Sequence, residues 1–270
     1  MRKNTLIISL SILLIGLLTF RLFFQEKNDL PCVLSNKDFT ELENCIKKLT
    51  VQDEIRGRWI YLRELSPDFK EGIFEYYQHI YKDGKKSDSY EVFQIKLITA
   101  ENDIIHYEFS EQKNKKVKSD WSDSYIWKPY YVLIERFKNE KKLNNLKTTF
   151  KNNFQAELNE KELFLKDYTY GENCGVGAMN SKERIELNDF VVKNNKNSIL
   201  NWLKSTNSEK QLYAVEGILK LIKSGSQFSK QELDLFRKVT DKKGTIKVCH
   251  GCIYSTQEVS EIIKNIKSQL

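Results

Sequence analysis

Histidine is scarce in this sequence, which limits the chemistry that the chain can support. Only His79, His106 and His250 occur among 270 residues, and histidine is the commonest general base and a frequent metal ligand. His106 lies between Ile105 and Tyr107, so strict strand alternation predicts that its side chain faces solvent. The sequence predicts no catalytic, cofactor-binding or metal site and favours a non-catalytic protein.

Arginine is also scarce, since only eight of the 44 basic residues are arginine and the other 36 are lysine. Arginine supplies the planar, bidentate donor group that recognises phosphates and bases, whereas lysine is a point charge. The formal net charge of +7 is therefore typical of a lysine-rich, solvated surface. We expect no nucleic-acid partner.

The chain begins with a long apolar segment. Arg2 and Lys3 precede a run that stays apolar to Phe24 apart from Arg21 and a few small or hydroxyl residues, and 20 helical residues span about 30 Å. No small-residue cleavage site ends the run. Residues 1–24 are therefore predicted to be an uncleaved, single-pass signal-anchor helix that binds the membrane. The positive N-terminal end predicts a body in the periplasm or extracytoplasmic space.

The predicted fold class is α+β, with an N-terminal membrane helix, an antiparallel β-domain and a small C-terminal helical domain. After residues 1–24 we expect a stalk and short helix at 25–50 and the β-domain at 51–137. The short helix is predicted to be amphipathic, because Phe39, Leu42, Ile46 and Leu49 recur at helical spacing. A helical connector at 138–168, with Leu143, Leu146 and Phe150 at helical spacing, and a helical domain with cysteine-containing loops at 169–270 would follow. These boundaries come from changes in hydrophobic periodicity along the chain.

The β-domain is predicted from strands that are rich in aromatic and β-branched residues. A polar turn at 101–103 separates two alternating segments, which predicts an antiparallel hairpin. Its apolar faces would be formed by Phe93, Ile95 and Leu97 on one strand and Ile105, Tyr107 and Phe109 on the other.

Helix starts in the C-terminal domain are predicted from three capping-box patterns. In such a pattern, serine at the N-cap is followed three residues later by Glu or Gln. The pairs are Ser208 with Gln211, Ser229 with Glu232, and Ser255 with Glu258.

The five cysteines could form disulfides if the body faces an oxidising compartment. Cys32 and Cys45 are close enough in sequence to bridge, and Cys174 could bridge to Cys249 or Cys252. The odd number leaves at least one cysteine unpaired, and the sequence does not select the connectivity.

The segment from Cys249 to Cys252 has the Cys-x-x-Cys spacing of a thiol-disulfide redox site. A low thiolate pKa there would require Cys249 at a helix N-terminus, whereas a strand-like segment, 245–248, precedes it. A zinc site formed by Cys174, Cys249, Cys252 and His250 is a second alternative. Structural disulfides are the favoured interpretation.

Three local patterns resemble known families. The Gly57-Arg58-Trp59 triplet is similar to the start of lipocalin-like barrels, and residues 198–224 resemble a HEAT-type helical pair. The N-terminal anchor, the Tyr-Gly-x-x-Cys-Gly loop at 170–175 and the late Cys-x-x-Cys together resemble uncharacterised exported, membrane-anchored proteins of Bacteroidota. This last resemblance implies no known activity.

These observations favour an envelope protein that acts as a non-catalytic binding or interaction module, with an unknown protein or small-molecule partner. The aromatic density of the β-domain is the feature that most suggests recognition. A thiol-disulfide or zinc-site protein that uses Cys249 and Cys252 is one alternative. A lipocalin-like ligand carrier, which requires a closed barrel, is another.

Overall fold

The computed structural model describes residues 34–83, 85–119, 122–174, 177, 179–251 and 253–269, and the chain divides into two units, Met1–Glu54 and Ile55–Leu270. The described part of the first unit contains helix α1, Phe39–Val51. Its N-cap is Asp38, whose carboxylate accepts a hydrogen bond from the Glu41 N–H at 2.8 Å. The short amphipathic helix predicted in this region is confirmed.

The predicted fold class is corrected at its first element, the membrane helix. Among the residues that the structure describes, no helix is both long enough and apolar enough to cross a membrane. Residues 1–24, for which the signal-anchor was predicted, lie outside the described residues. The extracytoplasmic location that was inferred from them stays a prediction.

An antiparallel sheet of five strands opens the second unit, and each strand pairs with the next one along the chain. Its strands are β1 (Ile55–Ser66), β2 (Phe69–Lys82), β3 (Lys85–Ala100), β4 (Asp103–Lys118) and β5 (Tyr125–Lys138). Ile95 pairs with Phe109 and Leu97 with Tyr107, which confirms the predicted hairpin. The α+β class with an antiparallel sheet is also confirmed.

Aromatic rings cross one face of this sheet from strand to strand. Successive ring centroids of Trp59, Phe74, Tyr76, Phe93 and Phe109 lie 5.2 to 5.9 Å apart. A Cβ at Gly57 would lie 2.6 Å from the Phe74 ring. The glycine of the Gly-Arg-Trp triplet is therefore explained by the close approach of an aromatic ring.

Helices follow the sheet and enclose a second core. They are α2 (Glu140–Phe154), α3 (Lys182–Val192), α4 (Lys196–Leu203), α5 (Ser208–Lys223), α6 (Lys230–Thr240) and α7 (Val259–Gln269). Helix α5 lies at the centre of this core, because residues from all round it are buried, among them Leu212, Tyr213 and Ile218. The capping box of Ser229 and Glu232 is confirmed at the start of α6, whereas α5 is capped by Asn207.

The C-terminal region, predicted as a helical domain with cysteine-containing loops, also contains a small sheet, and the strand-like segment 245–248 lies in one of its strands. Strands β6 (Tyr170–Glu172), β7 (Thr245–His250) and β8 (Ile253–Glu258) form it in the order β6-β7-β8. The predicted cap at Ser255 is wrong, because Ser255 lies within β8 and pairs with Val248. Strand pairing with β7 outweighs the local capping pattern.

Buried charges connect the large sheet to the helices. Arg63 of β1 contacts Glu71 of β2 at 2.7 Å and Glu209 of α5 at 2.6 Å, and all three side chains are at most 1% exposed. The Glu71 carboxylate also accepts a hydrogen bond from the Phe164 N–H at 3.2 Å. The cluster fixes the first two strands against the start of the central helix.

Candidate functional site

A pocket of about 190 Å³ lies where β3, β4 and β5 meet α2 and the segment at 158–164. Its floor is apolar and is formed by Ile98, Leu143, Leu146, Leu158, Leu163 and Phe164. Leu143 and Leu146 belong to the apolar side of α2, and Leu146 belongs to a buried cluster with Ile98. The pocket therefore has an apolar floor of the kind that packs against the body of a small molecule.

His106 lines this pocket and is only 6% exposed, so the prediction that it faces solvent is wrong. His106 pairs with Ile98 and its neighbour Tyr107 pairs with Leu97, so the two side chains lie on opposite faces of the sheet, as strand alternation requires. The physical reason for the error is that the face of the sheet that carries His106 is not open, because α2 and the segment at 158–164 pack over it.

The two ring nitrogens of His106 have different environments. One ring nitrogen hydrogen-bonds to the backbone of Phe137, whereas Nδ1 is buried without a hydrogen-bond partner among the residues that the structure describes. The ring also stacks on Phe164, with centroids 5.8 Å apart. Burial lowers the pKa of His106, and the nearby Lys138 and Arg136 act in the same direction although Glu108 opposes them. The lowered pKa favours the neutral imidazole, in which the ring nitrogen that carries no hydrogen, here Nδ1, accepts a hydrogen bond.

Charged side chains form the rim of the pocket, with three of each sign. Arg136 contacts Glu108 at 2.8 Å and Lys147 contacts Glu160 at 2.5 Å. The hydrogen bond from Lys147 lowers the pKa of Glu160. Lys138 and Glu140 complete the rim. The balance of signs favours a ligand without net charge.

No protein-family model, curated protein or solved structure matches the chain. The resemblances to lipocalin-like barrels, to a HEAT-type pair and to exported proteins of Bacteroidota therefore stay predictions.

The structure does not bear out disulfides among the described cysteines, which are Cys45, Cys174 and Cys249: none of them is bonded to another. The physical reason for Cys174 and Cys249 is orientation, because the Cys174 thiol donates to the backbone carbonyl oxygen of Cys249 at 3.4 Å. Cys32 and Cys252 lie outside the described residues. The predicted disulfide-linked framework is corrected accordingly.

Cys249 occupies the end of β7, next to the turn that joins β7 to β8, and its side chain is fully buried. A reactive thiolate needs some exposure and an electropositive neighbourhood such as a helix N-terminus. Within the described part of the chain no group of three or more His, Cys, Asp or Glu side chains could hold a metal ion. The buried position of Cys249 near the end of a strand is therefore unlike that of a reactive thiol.

Sequence reasoning missed the pocket because its lining residues are separated along the chain, from Ile98 to Phe164. The apolar stripe of α2, with Leu143 and Leu146, was visible in the sequence. The face of the sheet that carries His106 was predicted from strand alternation, but that face was expected to be open to solvent. It is covered by α2 and by residues 158–164, and contact with segments that follow later in the chain required the tertiary structure.

Proposed function

We propose that this protein is a non-catalytic binding module that holds a small amphipathic molecule in the His106 pocket. The ligand would have an apolar body that packs on the floor of the pocket and one N–H or O–H group that donates to His106 Nδ1. The single observation that carries this proposal is the buried Nδ1 atom, without a partner among the described residues, on the wall of a pocket whose floor is apolar.

The energetic argument rests on the cost of an unsatisfied polar atom. A buried acceptor without a partner destabilises a protein by about 1 to 3 kcal/mol. A ligand donor that reaches Nδ1 would recover part of this free energy, while its apolar body would gain about 25 cal/mol for each Å² removed from water. Both terms favour an amphipathic ligand over a purely apolar one.

Binding is favoured over catalysis by the identity of the lining residues. None of the described residues around the pocket is a serine, threonine or cysteine, so His106 has no hydroxyl or thiol nucleophile to activate. The nearby Glu108 carboxylate is held by Arg136 at 2.8 Å. Pocket residues are therefore arranged to position a ligand rather than to attack it.

The other candidate functions have less support. A lipocalin-like carrier would hold its ligand inside a closed sheet, whereas the strands here follow the open order β1 to β5. A thiol-disulfide protein would need Cys249 to be accessible, whereas its side chain is fully buried. A zinc-site protein would need several ligands close together, and the described residues include no group of three or more His, Cys, Asp or Glu side chains that could hold a metal ion. The pocket is the feature that best fits the binding module.

The experiment compares two probes, 4-propylphenol and 4-propylanisole. The oxygen attached to the benzene ring is a hydroxyl group, which can donate a hydrogen bond, in the first probe and a methyl ether, which cannot, in the second. Binding to the full chain is measured by NMR titration, with the amides of Leu143 and Phe164 as local reporters. We expect the phenol to bind several-fold more tightly than the ether, because a single net hydrogen bond contributes about 0.5 to 1.5 kcal/mol.

Two variants assign this preference to His106. His106→Phe keeps the aromatic ring that stacks on Phe164 but removes the acceptor, so the preference for the phenol should disappear. His79→Phe changes another strand histidine, which does not line the pocket, and should leave the preference intact. Equal binding of the two probes to the unaltered protein, or no shifts at the reporter amides, would refute the proposal.

A further inference from the structure

Beyond the main sheet, β4 and β5 continue as a two-stranded ribbon, which we call the β4–β5 arm and define as residues 112–118 and 125–131. The last pairing of β3 with β4 is Phe93 with Glu111, whereas β4 and β5 remain paired as far as Lys118 and Tyr125. Most side chains on both faces of the arm are exposed. The arm is thus a ribbon whose two faces are open to solvent among the described residues.

The composition of the arm is unlike that of an ordinary solvated hairpin. Its 14 residues include no aspartate or glutamate, but they include five lysines, at positions 113, 115, 116, 118 and 128. Trp127 is 67% exposed and Tyr125 is 63% exposed. Lysines together with large exposed aromatic rings indicate a surface that binds an anionic partner.

Two of these lysines form no ion pair with a carboxylate among the residues that the structure describes. Lys113 is paired with Glu111, and Lys118 contacts Asp123 at 3.2 Å. The ammonium groups of Lys115 and Lys116 instead lie over the rings of Tyr130 and Tyr125, at 5.6 Å and 5.1 Å. Contact with an aromatic ring positions an ammonium group but leaves its charge available to a partner.

The free edge of β5 is poorly suited to the addition of another strand. Pro129 lies in the arm and cannot donate a backbone hydrogen bond, and a β-bulge follows Leu133, because Ser110 pairs with Leu133 and Phe109 with Glu135. Proline and bulges are common protections of edge strands. A partner would therefore contact the side chains on the faces of the arm rather than its backbone edge.

We propose that the β4–β5 arm binds a linear acidic polysaccharide. A sugar ring would stack its C–H face on Trp127, and the carboxylate or sulfate group of a neighbouring sugar would pair with Lys116, which is the cross-strand partner of Trp127 and shares its face. Lys115 lies on the opposite face, where it adds to the positive charge that attracts the polysaccharide. Lysine suits such groups because a point charge imposes little geometry on the anion. This function is separate from the binding of a small molecule in the His106 pocket.

Two other anionic partners fit the arm less well. An anionic bilayer would also meet the carboxylate of Asp123, which is fully exposed beside Lys118, and like charges repel. Single-stranded nucleic acid is normally bound by a series of rings on which successive bases stack. The Tyr125 and Tyr130 rings each have a lysine ammonium over them, which leaves Trp127 as the exposed stacking ring among the described residues of the arm.

The test measures binding of the full chain to sodium polygalacturonate at low and physiological salt. Neutral dextran, poly(dT) and phosphatidylglycerol vesicles are compared under the same conditions. We expect polygalacturonate to bind most tightly of the four, with an affinity that falls as salt screens the charges. Tighter binding to poly(dT) or to the vesicles, or no binding to polygalacturonate, would overturn the proposal.

Variants then assign the binding to the arm. Lys115→Gln with Lys116→Gln should weaken binding to polygalacturonate at least tenfold, and Trp127→Ala should weaken it several-fold. The matched control, Lys182→Gln with Lys193→Gln, removes the same charge from exposed lysines that contact Glu186 and Asp189, and it should change affinity less than twofold. If the double-lysine variant of the arm and the control lose the same affinity for polygalacturonate, the effect of charge is nonspecific and the proposal is contradicted.

The His106→Phe variant separates the two functions. It should bind polygalacturonate as the unaltered protein does, because His106 lies outside the β4–β5 arm. A loss of polygalacturonate binding in this variant would contradict the assignment to the arm, even if the pocket experiment succeeds.

Discussion

Replacing Arg63 with methionine would remove the cation that contacts two buried carboxylates. The Arg63 side chain is 1% exposed, and Glu71 and Glu209 are 0% exposed. The guanidinium also lies over the Tyr61 ring, 3.9 Å from its centroid. Methionine resembles the aliphatic stem of arginine, so the change mainly removes the charge and its hydrogen bonds.

The expected loss is large because the carboxylates cannot reach water. Removing one partner of a buried ion pair costs about 3 to 5 kcal/mol, against a typical total free energy of unfolding of about 5 to 15 kcal/mol. The Arg63→Met variant should therefore lose a large part of its stability. Urea unfolding of the full chain at pH 7, followed by tryptophan fluorescence and far-ultraviolet circular dichroism, would measure the loss.

A second variant distinguishes an unpaired charge from simple loss of packing. Arg63→Met combined with Glu71→Gln and Glu209→Leu removes all three charges, and the amide oxygen introduced by Glu71→Gln could still accept the hydrogen bond from the Phe164 N–H. Replacing a whole buried ion cluster with neutral groups is often neutral or stabilising by about 1 to 4 kcal/mol. The triple variant should therefore recover most of the stability that the single variant loses.

The pH dependence gives an independent check. Burial raises the pKa of Glu71, and Arg63 opposes that effect, so the pKa of Glu71 should rise further in Arg63→Met. A carboxyl group whose pKa is higher in the folded state than in the unfolded state stabilises the fold increasingly as the pH falls. The stability deficit should thus be smaller at pH 5 than at pH 7. A loss of less than about 1 kcal/mol in Arg63→Met at pH 7, which is what an exposed ion pair typically contributes, would refute the reasoning. A loss at pH 5 equal to the loss at pH 7 would also refute it.

Three further predictions concern the C-terminal region. Burial lowers the pKa of Lys242 to about 7. Between about pH 7 and pH 10 the unfolded chain therefore binds more protons than the folded chain, so the free energy of unfolding should rise with pH. Urea unfolding at several pH values would measure this rise, and Lys242→Met should make it smaller. Gly171→Ala should destabilise strongly, because the added Cβ would lie 2.0 Å from the Cys249 carbonyl oxygen; a melting temperature equal to that of the parent would contradict the β6–β7 pairing. Ser229→Ala removes one half of the capping box with Glu232 and should cost about 1 kcal/mol, whereas Ser229→Thr, which keeps a hydroxyl, should lose less.

Much of the local structure could be predicted because it depends on side chains that are neighbours along the chain. The spacing of Phe39, Leu42, Ile46 and Leu49 predicted α1. The alternation on either side of residues 101–103 predicted the β3–β4 hairpin, and the Ser229 capping box predicted the start of α6.

The errors arose where distant segments meet. Ser255 and Glu258 satisfy a local capping rule, yet β8 forms there because β7 offers it a strand to pair with. Strand β6 joins the same sheet by pairing in parallel with residues about 78 positions later, such as Tyr170 with Val248. Hydrogen bonds between such segments are invisible to any rule that considers a short window.

The sequence alone determined which segments are helical or extended over most of the described chain, because hydrophobic periodicity is a property of consecutive residues. Only the tertiary structure decided that α2 and residues 158–164 bury His106 in a pocket, and that Arg63, Glu71 and Glu209 share one charged cluster. These features depend on register and on burial against distant elements. Both are set by the packing of the whole fold, which no local pattern specifies.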